Sequence, residues 1–334
     1  RRKSAQHWPR SDICLRRQDG TAHAAAGCNG STVMIVASKK EKAGYYIFIL
    51  PAAIVFTVFI FGPMIYSFIL SFFKYNLMTI NQGEFVGFNN YTAVFKNPVF
   101  SQALKNTAIY TIGTVPVNMV LGLGIALLLN NKNLRAKNVF KVCYYMPYIC
   151  PMVAVAIVFS LIFNTSTSGI VNQILMSFGM EPLGWLSDSD LALPVIMILG
   201  VWKSLGYVMI VYLGGLLAIP NEIYEAASLD PISAWKRLTK ITIPLLRPTT
   251  LFLLVTQTIS TFQVFTPVQV LTDGGPGYAT TTLVTLLYQK GFKEYKMGLS
   301  SAIAVILFII LLILSILQNR FEKEGQGGVK NEKA

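Results

Sequence analysis

Six long apolar runs divide this chain and leave few folds open to it. They cover about Tyr46–Phe73, Thr107–Leu129, Val142–Phe163, Leu191–Ala218, Thr249–Leu271 and Met297–Leu317. Each reaches the roughly 20 residues that carry a helix across a hydrocarbon core. Backbone N–H and C=O groups in hydrocarbon must be paired within the structure, so each run is expected to be a helix. Charged residues make up 13% of the chain, about half the share usual in soluble proteins. The expected fold is an all-α membrane protein with six transmembrane helices, forming one domain over residues 34–321. Pro51, Pro63, Pro116 and Pro151 fall within or at the ends of runs and predict kinks or short breaks there.

The flanks fall outside this pattern. Residues 1–33 hold both histidines (His7 and His23), Cys14, Cys28 and six basic residues. Met34 reads as a natural start just ahead of the first run, so 1–33 is expected to be a disordered or non-native extension. Ala25-Ala26-Gly27-Cys28 has no apolar stretch before it, which argues against a cleaved leader. Residues 322–334 read as a polar tail. Cys143 and Cys150 lie on one apolar run, about 10 Å apart along a helix axis. That is too far to bridge, and both are expected to be buried packing residues.

Basic residues set the orientation. One set of flanks carries Lys39, Lys40 and Lys42, then Lys132, Arg135, Lys137 and Lys141, then Lys236, Arg237, Lys240 and Arg247, then Arg320, Lys323, Lys330 and Lys333. The opposite set carries only Lys74, Lys96, Lys105, Lys290, Lys293 and Lys296. Both termini and the 220–248 loop are therefore expected to be cytoplasmic.

Several chemistries lack their residues. No GxxxxGK[ST] occurs, so the chain has no P-loop for ATP phosphates. No histidine follows Met34 and no carboxylate lies in a run, which removes the acid–base pairs of an intramembrane enzyme. The same gap argues against a self-sufficient secondary transporter, which uses embedded ionisable groups. No Cys/His spacing suits a metal. Lys203, inside the fourth run, is the one clear intramembrane charge and a candidate for the solute path. The fifth run carries Gln257, Ser260, Thr261 and Gln263, with Phe262 and Phe265 close by. Amides and hydroxyls beside aromatic rings suit a sugar, and the second run adds Asn118. Interhelical hydrogen bonding is the competing use of such residues. Gly122 and Gly124 are read as helix-packing positions.

The loop between the fourth and fifth runs, NEIYEAASLDPISAWKRLTKITIP at 221–244, is polar and amphipathic. Asn221 is a candidate N-cap, and Glu222 and Glu225 suit the first turns of a helix. Asp230 is a second candidate cap, with Pro231 at the next helix's first position. Ile232, Trp235 and Leu238 share that helix's apolar face.

This loop resembles the EAA loop of binding-protein-dependent ABC transporter permeases. Glu225, Ala226, Ala227, Ile241 and Pro244 fall on that pattern, Ile243 stands for its Leu, and Pro231 stands where the family has Gly. Four more segments resemble the same family in the same order. They are Phe85-Val86-Gly87-Phe88-Asn89-Asn90-Tyr91, Tyr145-Met146-Pro147 with Pro151, Gly169-Ile170-Val171-Asn172, and Leu271-Thr272-Asp273-Gly274-Gly275-Pro276. Together they cover Met34 to about Phe321 and are similar to the sugar-permease branch.

The resemblance implies a permease subunit of an ATP-driven importer in a bacterial or archaeal inner membrane. Its solute would be a carbohydrate, with a glycerol phosphate or polyol as the alternative. Implied partners are a second related permease, an ATPase dimer holding ATP and Mg, and an extracytoplasmic solute-binding protein; no nucleic acid is implied. The 221–244 segment would be the ATPase-coupling element, with Asp230, Pro231 and Trp235 in its turn and second helix. The binding protein would dock near Asn90, Tyr91, Gly274, Gly275 and Pro276.

Overall fold

The computed structural model describes residues 49–78, 83–131, 134–229 and 233–330, with backbone alone for 228, 229 and 321–330. The 1–33 extension, Lys39, Lys40, Lys42, Lys132, Asp230, Pro231, Ile232 and Lys333 lie outside the described residues. Compactness separates residues up to Tyr66 from a second unit, Ser67–Ala334.

Among the described residues, five helices are long and apolar enough to cross a membrane: Ile49–Leu70 (α1), Pro98–Asn130 (α3), Ala192–Leu217 (α7), Arg247–Leu271 and Met297–Arg320. A sixth span exists if Lys137–Ile149 (α4) and Met152–Ile162 (α5) are one span. Their axes differ by 95°, so the third expected helix is two rods joined at Cys150-Pro151. Pro151 has no N–H to continue α4, and it forces the residue before it into extended geometry. Cys150 takes that geometry, with ψ 142°.

The other prolines are absorbed in milder ways. A π-turn at Thr57–Phe61 precedes Pro63, with Gly62 N–H reaching back to the Thr57 carbonyl. Such wide turns relieve ring clashes within a helix. Helix α3 runs on unbroken through Pro116. It begins at an Asn97 cap whose side chain accepts from Val99 N–H, with Pro98 in the first turn. The fifth span carries a break just ahead of Pro267, which has no N–H to continue the preceding helix. It consists of α11 (Arg247–Phe262) and α12 (Thr266–Leu271), with Gln263–Phe265 non-helical between them.

Short elements occupy the connections: β1 (Phe73–Lys74) against β2 (Glu84–Phe85), α2 (Asn89–Lys96), α6 (Ile170–Ser177) and α13 (Leu283–Tyr288). The segment 221–244 contains α8 (Asn221–Leu229) and α9 (Ala234–Arg237), then a π-turn, Leu238–Thr242. Three-residue α10 (Ile243–Leu245) follows, and α14 (Met297–Lys330) closes the described chain.

Three apolar cores hold the second unit together. One joins α2, the start of α3, α13 and α14 around Phe100, Leu283 and Ile303. Another joins α5, α7 and α12 around Ile196, Leu199 and Val268. The third joins the far ends of α3 and α7 to Leu246 and Leu253. Gly122 lets α3 approach α7, since a Cβ there would sit 2.6 Å from Val208 Cγ1. Gly124 does not share this role, because a Cβ there meets nothing within 4 Å. Cys143 is likewise exposed and Cys150 half-buried. Cys150 packs, partly buried, against the core around Ile196 and Val268, whereas Cys143 is not a packing residue.

Asn172, in the Gly169–Asn172 segment, is the knot of the connection after α5. Its amide donates to the carbonyls of Asn164, Thr165, Ser166 and Leu183. Its Oδ1 accepts from Leu183 N–H at 3.0 Å and Trp185 Nε1 at 2.8 Å. Asn172 is fully buried, and a Cβ on Gly169 would lie 2.3 Å from the Asn164 carbonyl oxygen. Asn172→Ala should therefore cost about 3 kcal/mol, the upper part of the range for a stranded buried polar group. A lowered thermal midpoint of the detergent-solubilised protein would register it; an unchanged midpoint would deny the knot.

Candidate functional site

Three helices and two helix breaks enclose one polar cavity of about 300 Å³. Helix α3 supplies Tyr110, Thr114 and Asn118, spaced by four so that they share a face. Helix α7 supplies Gly200, Lys203 and Ser204, and α11 supplies Gln257, Ser260 and Thr261. The break in the third span adds Tyr148 and Met152, and the break in the fifth adds Gln263, Val264 and Phe265. Non-helical backbone at membrane depth is tolerated where it lines a cavity or is buried in protein.

The cavity thus gathers all six residues singled out as solute-path candidates: Asn118, Lys203, Gln257, Ser260, Thr261 and Gln263. Phe265 is on the wall, with its ring 5.0 Å from that of Tyr288. Phe262 is not; it is buried in the core with Phe100 and Leu283. The break after Phe262 turns Phe265 toward the cavity, a change of direction that helical spacing alone cannot show. Tyr110 and Tyr148 were missed by the sequence reading. Two signals pointed to them: Tyr110 lies eight residues before Asn118, and Tyr148 precedes Pro151 by three.

Lys203 has a defined partner set. Its Nζ donates to the carbonyls of Pro147 at 2.9 Å, Tyr148 at 2.8 Å and Cys150 at 2.5 Å. These carbonyls lie at or just past the end of α4, where helical pairing stops and the dipole is negative. The ammonium also lies 5.8 Å from the centre of the Tyr148 ring, within cation–π range. Tyr148 in turn stacks on Tyr207 at 5.1 Å. Two glycines on α7 let its neighbours close in, α4 at Gly206 and α3 at Gly200. A Cβ on Gly206 would lie 2.0 Å from the Tyr144 carbonyl oxygen, and one on Gly200 would lie 2.2 Å from Tyr110 Oη.

In the 221–244 segment, Glu225, Ala226 and Trp235 are exposed, while Ala227, Ile241 and Pro244 are half-buried. The second helix starts later than Asp230-Pro231 implied. Ser233 is its cap, accepting from Lys236 N–H, and Ala234 is its first residue. Asn221 is itself helical rather than a flanking cap; Ile223 N–H reaches back to the Pro220 carbonyl. Tyr224 Oη lies 3.3 Å from Thr242 Oγ1, tying α8 to the π-turn. Leu246, 1% exposed, roots the segment among Tyr212, Leu213 and Leu216 of α7.

The docking candidates divide. Asn90 donates to the Ser71 and Phe73 carbonyls, and Tyr91 Oη lies 2.7 Å from Ser71 Oγ. Both side chains are committed to the fold. Gly274 has φ +88° and Gly277 φ +53°, which shape the turn around Gly275 and Pro276. Lys293 pairs with Asp273 beside this turn. That hydrogen bond, with help from Gln269, holds the Asp273 carboxyl below the usual carboxylate range. The half-exposed ion pair therefore adds its stability above the ordinary aspartate pKa and loses it as pH falls through the lower folded value.

A bundle of apolar helices, two of them broken around a polar cavity, defines a membrane permease. The chain belongs to the family of binding-protein-dependent transport system inner membrane components, which matches residues 118–324. It is 35% identical over 292 residues to the arabinooligosaccharides transport system permease protein AraP of Bacillus subtilis (strain 168), covering 85% of this chain and 91% of that protein. It is 35% identical over 291 residues to the lactose transport system permease protein LacF of Rhizobium radiobacter, covering 85% and 96%. A chain of a bacterial alginate ABC transporter, crystallised with an alginate pentasaccharide-bound periplasmic protein, shares the fold. Its TM-score is 0.74 at 23% identity, over 85% of this chain and 96% of that one.

Proposed function

We propose that this chain is the membrane permease of an ATP-driven importer for a carbohydrate. It would supply half of the translocation path in a bacterial or archaeal inner membrane, beside a second related permease. The observation that carries the reading is the cavity. Amides and hydroxyls on α3, α7 and α11 meet the rings of Tyr110, Tyr148 and Phe265 around one space. Sugars present hydroxyls along a ring whose C–H faces pack on aromatics, and this wall offers both kinds of contact. The resemblance to permeases named for arabinooligosaccharides and lactose supports the same class.

ATP hydrolysis belongs to a separate ATPase dimer, docking on residues 221–244 at the cytoplasmic face. Glu225, Ala226 and Ala227 would meet it on α8, and Trp235 on α9. Motion of that segment has a physical route inward. Leu246 anchors its end in the α7 core, and α11 starts at Arg247. Gln257 lies ten residues along α11, about 15 Å at the helical rise. A push at one end therefore moves a rod that carries three cavity residues, which suits alternating access. A solute-binding protein would deliver from the opposite face, over the turn at Gly274, Gly275 and Pro276.

The test is purification with candidate ATPase, partner permease and binding protein, followed by uptake in proteoliposomes. ATP-dependent uptake by the assembly and none by the isolated chain is the expected result; uptake by the chain alone would overturn the reading. Glu225→Lys should leave insertion intact and lower uptake at least tenfold while ATP hydrolysis continues. Uptake at the parental rate would remove Glu225 from the coupling surface.

A further inference from the structure

We infer that the cavity selects an uncharged, hydroxyl-rich solute and works against acidic sugars and phosphate esters. This rests on the carbohydrate reading above and adds the charge class. Hydrogen-bond direction carries the argument. A hydroxyl has one proton to give, and three hydroxyls on this wall spend theirs on backbone. Thr114 donates to the Tyr110 carbonyl, Ser204 to Gly200 and Thr261 to Gln257. Each keeps lone pairs and so acts as an acceptor.

Asn118 points the same way. Its amide nitrogen donates to Ser204 Oγ at 2.7 Å. Ser204 has given its own proton to Gly200, so it must accept here, and this fixes the orientation of the Asn118 amide. Asn118 Oδ1 is left buried with no partner, in a side chain 1% exposed. A buried acceptor with no donor is a costly state, and a ligand hydroxyl relieves it. A carboxylate or phosphate oxyanion brings only more lone pairs.

The one cation on the wall does not reverse this balance. Lys203 has three protons and three carbonyl partners at the end of α4. Its charge faces the negative end of that helix. An anion would have to draw one of the Lys203 N–H groups away from its carbonyl and leave a helix end unpaired. Among the described residues, the rest of the lining includes no arginine, histidine or carboxylate.

The experiment uses the reconstituted importer with its binding protein. Uptake and stimulated ATP hydrolysis are measured for neutral arabino-, malto- and galacto-oligosaccharides, and for oligogalacturonates of equal length and glycerol 3-phosphate. Every solute that drives uptake should be neutral, with acidic ones at least tenfold poorer. An acidic solute carried as well as the best neutral one overturns the inference and leaves the importer reading standing. Absence of ATP-dependent uptake for the whole panel sinks both. Asn118→Ala, with assembly checked by gel filtration, should raise KM for the neutral solute about tenfold, the loss of one good hydrogen bond. An unchanged or lowered KM would overturn the acceptor role.

Discussion

Gly206→Ala should deprive the cell of most of its folded permease. The added Cβ would lie 2.0 Å from the Tyr144 carbonyl oxygen and 2.8 Å from the Tyr145 Cα. Both neighbours are backbone, so no rotamer change relieves the clash and α4 must move away from α7. Overpacking costs about 1–3 kcal/mol where side chains can yield, and here the upper end, about 3 kcal/mol, is the expected cost. The shift also pulls the α4 carbonyls off Lys203, since Tyr148 lies one turn beyond Tyr144. The measurement is the yield of monodisperse protein after detergent extraction, with its thermal midpoint. Gly124→Ala is the control: its Cβ meets nothing, and alanine favours a helix by about 1 kcal/mol. Equal yields and midpoints for the two variants would show that the α4–α7 approach is not tight.

The contrast between these glycines shows what the sequence can and cannot reveal. Apolar run length located the helices, because bilayer thickness sets a minimum that local noise does not erase. Pro151 marked the third-span break through its missing N–H, but not the 95° turn of the chain there, which packing of α5 against α12 decides. The fifth-span break has one local marker, Pro267 in the first turn of α12, but proline alone does not set how many residues leave the helix. Thr282 Oγ1 donates to the Val264 carbonyl from a distant loop, a tertiary contact that stabilises the non-helical stretch. Intramembrane polarity named the cavity residues Asn118, Lys203, Gln257, Ser260, Thr261 and Gln263, since polar groups in hydrocarbon need a reason to be there. Tyr110 and Tyr148 are marked only by their spacing from Asn118 and Pro151, and the inward commitment of Asn90 and Tyr91 is hidden, because aromatic and polar residues near a membrane surface serve equally as anchors, packing groups or docking points. Gly122 and Gly124 look alike in sequence and differ only in whether Val208 stands opposite.

Lys203→Met should lower uptake at least tenfold with the complex still assembled. The substitution keeps an unbranched apolar stem and removes the ammonium that ties α7 to three carbonyls where α4 ends. Each carbonyl loses its donor at a site where water from the cavity can replace it only in part, and a stranded polar group costs about 1–3 kcal/mol. The break then loses its fixed angle, and Tyr148, which stacks on Tyr207, loses its place on the wall. If Lys203 acts through this angle, the loss falls mainly on the maximal rate, and KM for a neutral solute stays within about threefold. Lys203→Arg, which keeps donors and charge, should recover part of the rate. A direct role in holding an anion has the opposite signature: a large rise in KM for an acidic solute, with the maximal rate preserved. Parental kinetics for Lys203→Met would mean that the broken helix end needs no donor, and the link from Lys203 to the cavity wall would fail.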